Sequence, residues 1–120
     1  MILGRNNKDI ELLKGENIII EENNKININN NKNKNIRFLT VHKSKGIEEN
    51  TIVILNVIND TLGFPNKIKE NNVLMYLNNY DYLEEERRLF YVALTRTKNT
   101  VYIVTKKGKE SIYIQELIKE

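Results

Sequence analysis

The sequence predicts an α/β layered domain built on a mainly parallel sheet, and three observations carry that expectation. Thr51-Ile-Val-Ile-Leu-Asn-Val-Ile58 is a near-continuous β-branched run, the composition of a strand covered on both faces. Strand-like runs alternate with helical or loop segments along the chain, the order that winds a parallel sheet. The segment from Asp81 to Lys98 spaces Leu89, Val92, Ala93 and Arg96 three and four residues apart, which gives a helix one apolar stripe to pack on that sheet.

The elements follow in order. Met1 to Gly4 is a short apolar run. Asp9 to Leu13 has helical spacing, ended by Gly15. Ile18 to Ile20 is short and strand-like. From Glu21 to Asn35, Asn and Lys dominate and the only apolar residues are Ile26 and Ile28. Such a stretch buries too little apolar surface to offset its ordering entropy, so residues 21–35 are expected as a loop. Ile36 to Val41 reads as a strand, Thr51 to Ile58 as the strongest strand, and Gly63-Phe-Pro65 as a turn. Asp81 is placed to cap the longest helix, with Glu84 to Glu86 at its positive end. Thr100 to Thr105 is a further strand, and Ser111 to Lys119 a closing helix with Ser111 as its cap.

The chain has 120 residues, enough for a single domain over residues 1–120 with one modest core. Its 40% hydrophobic and 29% charged residues are ordinary for a soluble globular protein. No apolar run approaches the roughly 20 residues that span a bilayer, and the N-terminus lacks the basic-then-apolar pattern of a signal peptide. A cytoplasmic protein with no membrane partner is expected. The absence of cysteine removes disulfides and thiolate metal sites. The net charge of +3 leans weakly toward anionic partners and is equally that of a mixed solvated surface. Charge is therefore read by position.

Two constellations stand out. In Thr40-Val-His-Lys-Ser-Lys-Gly-Ile-Glu48 a strand ends and delivers a hydroxyl, an imidazole and ammonium groups, with Gly46 free to turn tightly. Phosphate recognition wants such donors at a strand end; a polar loop with no ligand has the same composition. His42 is the sole histidine and gives no sign of a metal site. In Glu84-Glu-Glu-Arg-Arg-Leu-Phe-Tyr-Val-Ala-Leu-Thr-Arg96, Arg96 closes the apolar stripe. A guanidinium held at the edge of a buried stripe is restricted and can be aimed, although an ordinary surface charge also closes helices this way. Arg5 follows the first apolar run at another strand end, where ligands gather in open α/β sheets.

These stretches resemble a known family. TVHKSKGIEENTIVIL is similar to motif V, and EEERRLFYVALTRTK to motif VI, of UvrD/Rep-type superfamily 1 DNA helicases; ILGRNN resembles the segment carrying the motif IV arginine. The order agrees, and the likeness covers nearly the whole chain outside the Asn/Lys stretch. Ile47 stands where leucine is usual and Thr97 where alanine is usual. The interval from Arg5 to Thr40 leaves no room for the large insertion of UvrD and Rep, so the layout is more like the compact members similar to helicase IV.

The resemblance implies a RecA-like fold, the second of two such domains that clamp ATP with Mg²⁺. It implies Arg5 and Arg96 as arginine fingers on the γ-phosphate and Glu48 as the acceptor from the ribose hydroxyl. It also implies Thr40, His42 and Lys45 as contacts to single-stranded DNA, and 3′-to-5′ polarity. With Thr40 and His42 two residues apart on a strand, both side chains are expected on one side of it. Arg5, His42 and Glu48 are expected near one sheet edge. Arg87 and Arg88 are expected to make ion pairs with Glu84 and Glu85. No G-x-x-x-x-G-K-[ST] and no apolar strand with an acidic pair occurs. The phosphate loop and the Mg²⁺ ligands are thus expected on the first RecA-like domain, and the chain alone is expected to be inactive. The competing expectation is a non-catalytic module, derived from a helicase, that binds nucleic acid or protein.

Overall fold

A computed structural model describes residues 1–29, 31–67 and 82–118, without the side chains of residues 31–34 and 82. The expected cap Asp81 and the end of the closing helix at Lys119 lie outside the described residues. Among those residues, six strands form one sheet in the order β2-β3-β4-β1-β5-β6. They are β1 (Ile2–Gly4), β2 (Ile18–Ile20), β3 (Lys25–Ile28), β4 (Asn31–Thr40), β5 (Glu49–Ile54) and β6 (Thr97–Ile103). Two α-helices, α1 (Tyr82–Leu94) and α2 (Ile112–Ile118), and two 3-10 segments, Asn7–Leu13 and His42–Ser44, complete the described elements.

The sheet has two characters. β1 pairs in parallel with β4 and β5, and β5 with β6, so the four strands β4-β1-β5-β6 form the expected parallel core. β2, β3 and the first half of β4 pair antiparallel. The segment 21–35, expected as a loop, therefore carries β3 and the start of β4. Its few apolar residues suffice because neighbours complete their burial. Ile26 pairs with Ile36 and packs with Phe38 and Leu55. Asn24 and Asn29 take the left-handed backbone at φ 62° and 54°, a conformation asparagine tolerates better than most residues. Part of the asparagine content is thus turn chemistry around a hairpin strand.

β5 is buried on both faces, as its composition predicts. Ile52 and Ile54 enter a core with Leu3, Val41, Leu89, Phe90 and Ala93 beneath α1. Val53 and Leu55 face the opposite cluster with Ile26 and Phe38, where Ile10 and Leu13 of the first 3-10 segment pack. The strand stops at Ile54, short of the expected Ile58. Asn56 takes φ 59°, and its side-chain amide donates to Asp9 Oδ1 and to the Leu62 carbonyl, each at 3.0 Å. The Gly63-Phe64-Pro65 turn is more than a connection. Phe64 is fully buried and meets Phe90 and Tyr113 edge-on, at ring centroids 5.2 and 5.9 Å apart. α1 ends at Leu94, before the expected Lys98, because Thr97 is already paired with Glu49 at the start of β6.

Candidate functional site

Strand direction decides where each candidate residue lies. Leu39, Leu3, Ile54 and Ile103 stand in one row across the parallel strands. Arg5 and His42 follow β1 and β4 just beyond that row, at the carboxyl edge of the sheet. Glu49, the first residue of β5, lies five residues before Ile54, about 16 Å back along the strand at roughly 3.3 Å per residue. The connection 41–48 is thus a crossover from one edge to the other. Glu48 comes out at the amino edge, not beside Arg5 and His42 as the sequence suggested. Gly46, at φ 84°, lets the crossover turn there.

α1 runs back alongside this crossover, because it leads into β6 at the amino edge. Between the two lies a cavity of about 130 Å³ lined by Arg5, His42, Lys45, Glu85, Glu86, Arg88, Leu89 and Val92. Its anchor is an ion pair the sequence reading missed. Arg5 donates from Nε to both Glu86 oxygens at 2.9 and 2.8 Å, and from Nη2 to Oε1 at 2.5 Å. The Glu86 side chain is only 8% exposed and that of Arg5 20%. Glu86 Oε2 also accepts from the Asn66 amide at 3.1 Å. The available signal was Glu86 at i−3 from Leu89, i−4 from Phe90 and i−7 from Ala93, hence on the stripe that packs inward.

The expected DNA contacts divide. β4 ends at Thr40, and Val41 is already helical at φ −57° and ψ −38°, so the strand alternation does not extend to His42. Thr40 is buried, and its hydroxyl accepts from the Lys43 amide at 3.4 Å, closing the turn. His42 and Lys45 are exposed and line the cavity. Where the His42 ring enters the cavity, partial burial and then the charges of Arg5 and Lys45 hold its pKa below the ordinary imidazole value, with Glu86 opposing them.

Arg96 lies at the far end of α1. It is ten residues beyond Glu86, about 15 Å at 1.5 Å per residue. Its Nε donates to the Val92 carbonyl at 3.2 Å and its Nη2 to Thr95 Oγ1 at 3.3 Å. Its carbonyl accepts from the Glu49 amide at 3.0 Å, which sets Arg96 next to Glu48. The structure therefore places the Arg96 backbone against the start of β5, one residue after Glu48, at the amino edge, and lines one cavity with Arg5, His42 and Lys45 at the carboxyl edge. Arg5 is anchored on Glu86, ten residues before Arg96 on the same helical stretch. Arg88 pairs with Glu85 at 2.6 Å and Glu84 at 3.9 Å, as expected. Arg87 instead reaches Glu116 of α2 at 2.8 Å and sits over the Tyr113 ring.

Among the described residues, no group of three His, Asp or Glu side chains is placed to hold a metal ion, and no helix is long and apolar enough to cross a membrane.

Residues 4–108 match the model of the UvrD-like helicase C-terminal domain. The chain is similar to a probable DNA helicase II homolog of Mycoplasma capricolum, 38% identical over 84 residues, which is 70% of this chain and 10% of that protein. It is likewise similar to DNA helicase IV of Escherichia coli, 34% identical over 86 residues, 68% of this chain and 12% of that protein. ATP-dependent DNA helicase Rep of Buchnera aphidicola is 35% identical over 78 residues, 65% of this chain and 10% of that protein. The chain thus spans about a tenth of the length of the curated relatives it matches.

Proposed function

The chain belongs to the UvrD-like helicase C-terminal domain family, and we propose that it acts as the second motor domain of an ATP-dependent DNA helicase, with its nucleotide and DNA contacts on opposite sheet edges. The observation that carries this reading is the separation just described. The crossover 41–48 and α1 run side by side, and each has one end at the carboxyl edge and the other at the amino edge.

On this reading Arg96 and Glu48 form the nucleotide edge. Arg96 meets charge developing on the transferring phosphoryl group, an effect worth roughly 10³–10⁵ in rate in other nucleotide hydrolases. Its hydrogen bond to the Val92 carbonyl holds the guanidinium near the helix end, so little reorganisation is needed when a phosphate arrives. Glu48, exposed beside it, accepts from the ribose hydroxyl. Mg²⁺ bound with ATP would be held by residues of the first domain and would supply further stabilisation of that negative charge. His42 and Lys45 hold the DNA backbone, and Thr40 supports them by closing their turn. Arg5, held by Glu86, is the second candidate finger, with the ten residues from Glu86 to Arg96 between its anchor and Arg96 at the end of α1. RecA-like layering, 3′-to-5′ polarity and inactivity of the isolated chain belong to the same reading.

The test uses the protein with its phosphate-loop domain present. Arg96→Ala should lower kcat for DNA-stimulated ATP hydrolysis by about 10³ or more and leave oligonucleotide affinity within twofold or so of wild type. His42→Ala and Lys45→Ala should weaken single-strand binding, measured by anisotropy, for all sequences alike. Binding with no ATP turnover in the intact protein would instead support a non-catalytic binding module. Loss of DNA affinity in Arg96→Ala, with His42→Ala silent, would reverse the two edges.

A further inference from the structure

We propose that Thr95 is a positioning residue for Arg96, its hydroxyl fixing the angle at which the guanidinium meets the transferring phosphoryl group. This rests on the assignment of Arg96 to the nucleotide edge and names a neighbour of Arg96 that the assignment does not use.

The end of α1 creates the arrangement. In a continuing helix the Arg96 amide would bond the Val92 carbonyl, four residues back. Here the last turn tightens, and the Arg96 amide donates to the Ala93 carbonyl at 3.2 Å instead. The Val92 carbonyl is left for side chains, as the final carbonyls of a helix are. Two donors converge on it, Thr95 Oγ1 at 2.9 Å and Arg96 Nε at 3.2 Å. A hydroxyl has one proton and two lone pairs. With its proton on the Val92 carbonyl, Thr95 Oγ1 accepts from Arg96 Nη2 at 3.3 Å.

Each contact removes one freedom from the arginine. Its backbone is fixed on both sides, by the bond to Ala93 and by the Glu49 amide, which donates to the Arg96 carbonyl at 3.0 Å. The Nε bond folds the side chain back along the helix. The plane of the guanidinium can still turn about that bond, and the Thr95 hydroxyl selects one orientation. Threonine fits this role because its β-branch restricts χ1, so the hydroxyl is itself held. Among the described residues Nη1 has no hydrogen-bond partner, and it is the nitrogen left for an anion. A planar guanidinium held through Nε and Nη2 presents Nη1 in one direction. Catalysis is sensitive to that direction, because small displacements of a group that meets the reacting atoms lower the rate steeply. The contact from Nη2 is long and exposed, so its contribution is that of one ordinary hydrogen bond, about three- to tenfold. That is well short of the loss expected when the guanidinium itself is removed.

The experiment uses the protein with its phosphate-loop domain present, at saturating oligonucleotide. Thr95 is exposed, and Thr95→Val keeps its shape and β-branch while removing the hydroxyl. It should lower kcat for ATP hydrolysis about three- to tenfold and leave KM for ATP within about twofold. Thr95→Ser keeps the hydroxyl and should recover most of that loss. Affinity for ADP with aluminium fluoride, which mimics the phosphoryl group in transfer, should fall by the same factor, and affinity for ADP alone should not move. In an Arg96→Ala background Thr95→Val should lower kcat no further, because the group it orients is gone. A loss of equal size in that background, or one shared by Thr95→Ser, would show a structural role and overturn the proposal. Full activity in Thr95→Val beside an impaired Arg96→Ala would overturn it too, with the finger reading left standing. If Arg96→Ala itself keeps its kcat, the finger reading fails and the proposal with it. Should Thr95→Val not fold, Thr95→Ala carries the same expectations.

Discussion

His42 shows how much a single side chain takes from its neighbours. In the unfolded chain its imidazole titrates near 6.5. In the folded chain, partial desolvation of the exposed ring where it meets the cavity, and then the cations Arg5 and Lys45, disfavour the protonated form. Between the lowered folded value and 6.5, the unfolded state binds more protons, so stability rises with pH in that window and is lost as pH falls through it. Two outcomes follow. The His42 resonance in a proton NMR titration should have its midpoint below 6.5, and His42→Ala should flatten the stability profile between that midpoint and neutrality. A midpoint above 6.5 would falsify the cationic environment described for the cavity. Gly4 illustrates a residue chosen for space. A Cβ there would lie 2.8 Å from Asp9 Cβ and 2.9 Å from a Phe38 ring carbon, so β1 and the Asp9 turn close together only because the position has no side chain. Burial of Asp9 pushes its carboxyl up, opposed by hydrogen bonds from the Asn6 amide and the Asn56 side chain.

At the scale of elements, α1 is the member that the sequence described best. Leu89, Phe90 and Ala93 are buried, and Glu84, Arg87, Arg88 and Tyr91 are exposed, the two faces the periodicity required. α2 is only Ile112–Ile118 and too short to persist by propensity. Its start depends on Ser111, which is fully buried. Ser111 Oγ accepts from the Tyr113 amide at 3.2 Å and donates to the Phe64 carbonyl at 2.5 Å. Ser111→Ala removes the cap and leaves that carbonyl without its donor. The expected cost is about 1–3 kcal/mol in urea-melt stability, with the Phe64–Phe90–Tyr113 cluster loosened. A change under about 0.5 kcal/mol would show that the tertiary packing of α2 holds without its cap.

Across the whole molecule the parallel core and the antiparallel hairpin should differ in stability. β1 lies between β4 and β5 with Leu3 fully buried, and β5 is covered on both sides. β2 is a sheet edge with Ile19 51% exposed, and β3 ends in exposed Ile28. Local opening free energy follows buried contacts. Native-state hydrogen exchange should therefore protect the Leu3, Val53 and Leu55 amides most, with those of Ile19 and Ile20 exchanging through smaller openings. Uniform protection would mean that the hairpin folds as one unit with the core.

What the sequence determined alone was whatever is periodic or compositional. The β-branched run of β5, the inward stripe of α1 and the Ser111 cap are local patterns with local causes. So are the long motifs around His42 and Arg96, whose family the comparison over residues 4–108 shows. Tertiary structure decided what depends on register and direction. β3 formed because Ile26 found Ile36 and Phe38 across the sheet, a burial no count of apolar residues within 21–35 contains. Arg5 met Glu86 across 81 positions of chain. Glu48 moved to the edge opposite His42 because a parallel pairing obliges the connection between β4 and β5 to cross the sheet's length. Glu48 lies six positions after His42 in the chain, and only the direction of the strands says that the two come out at opposite edges of the sheet.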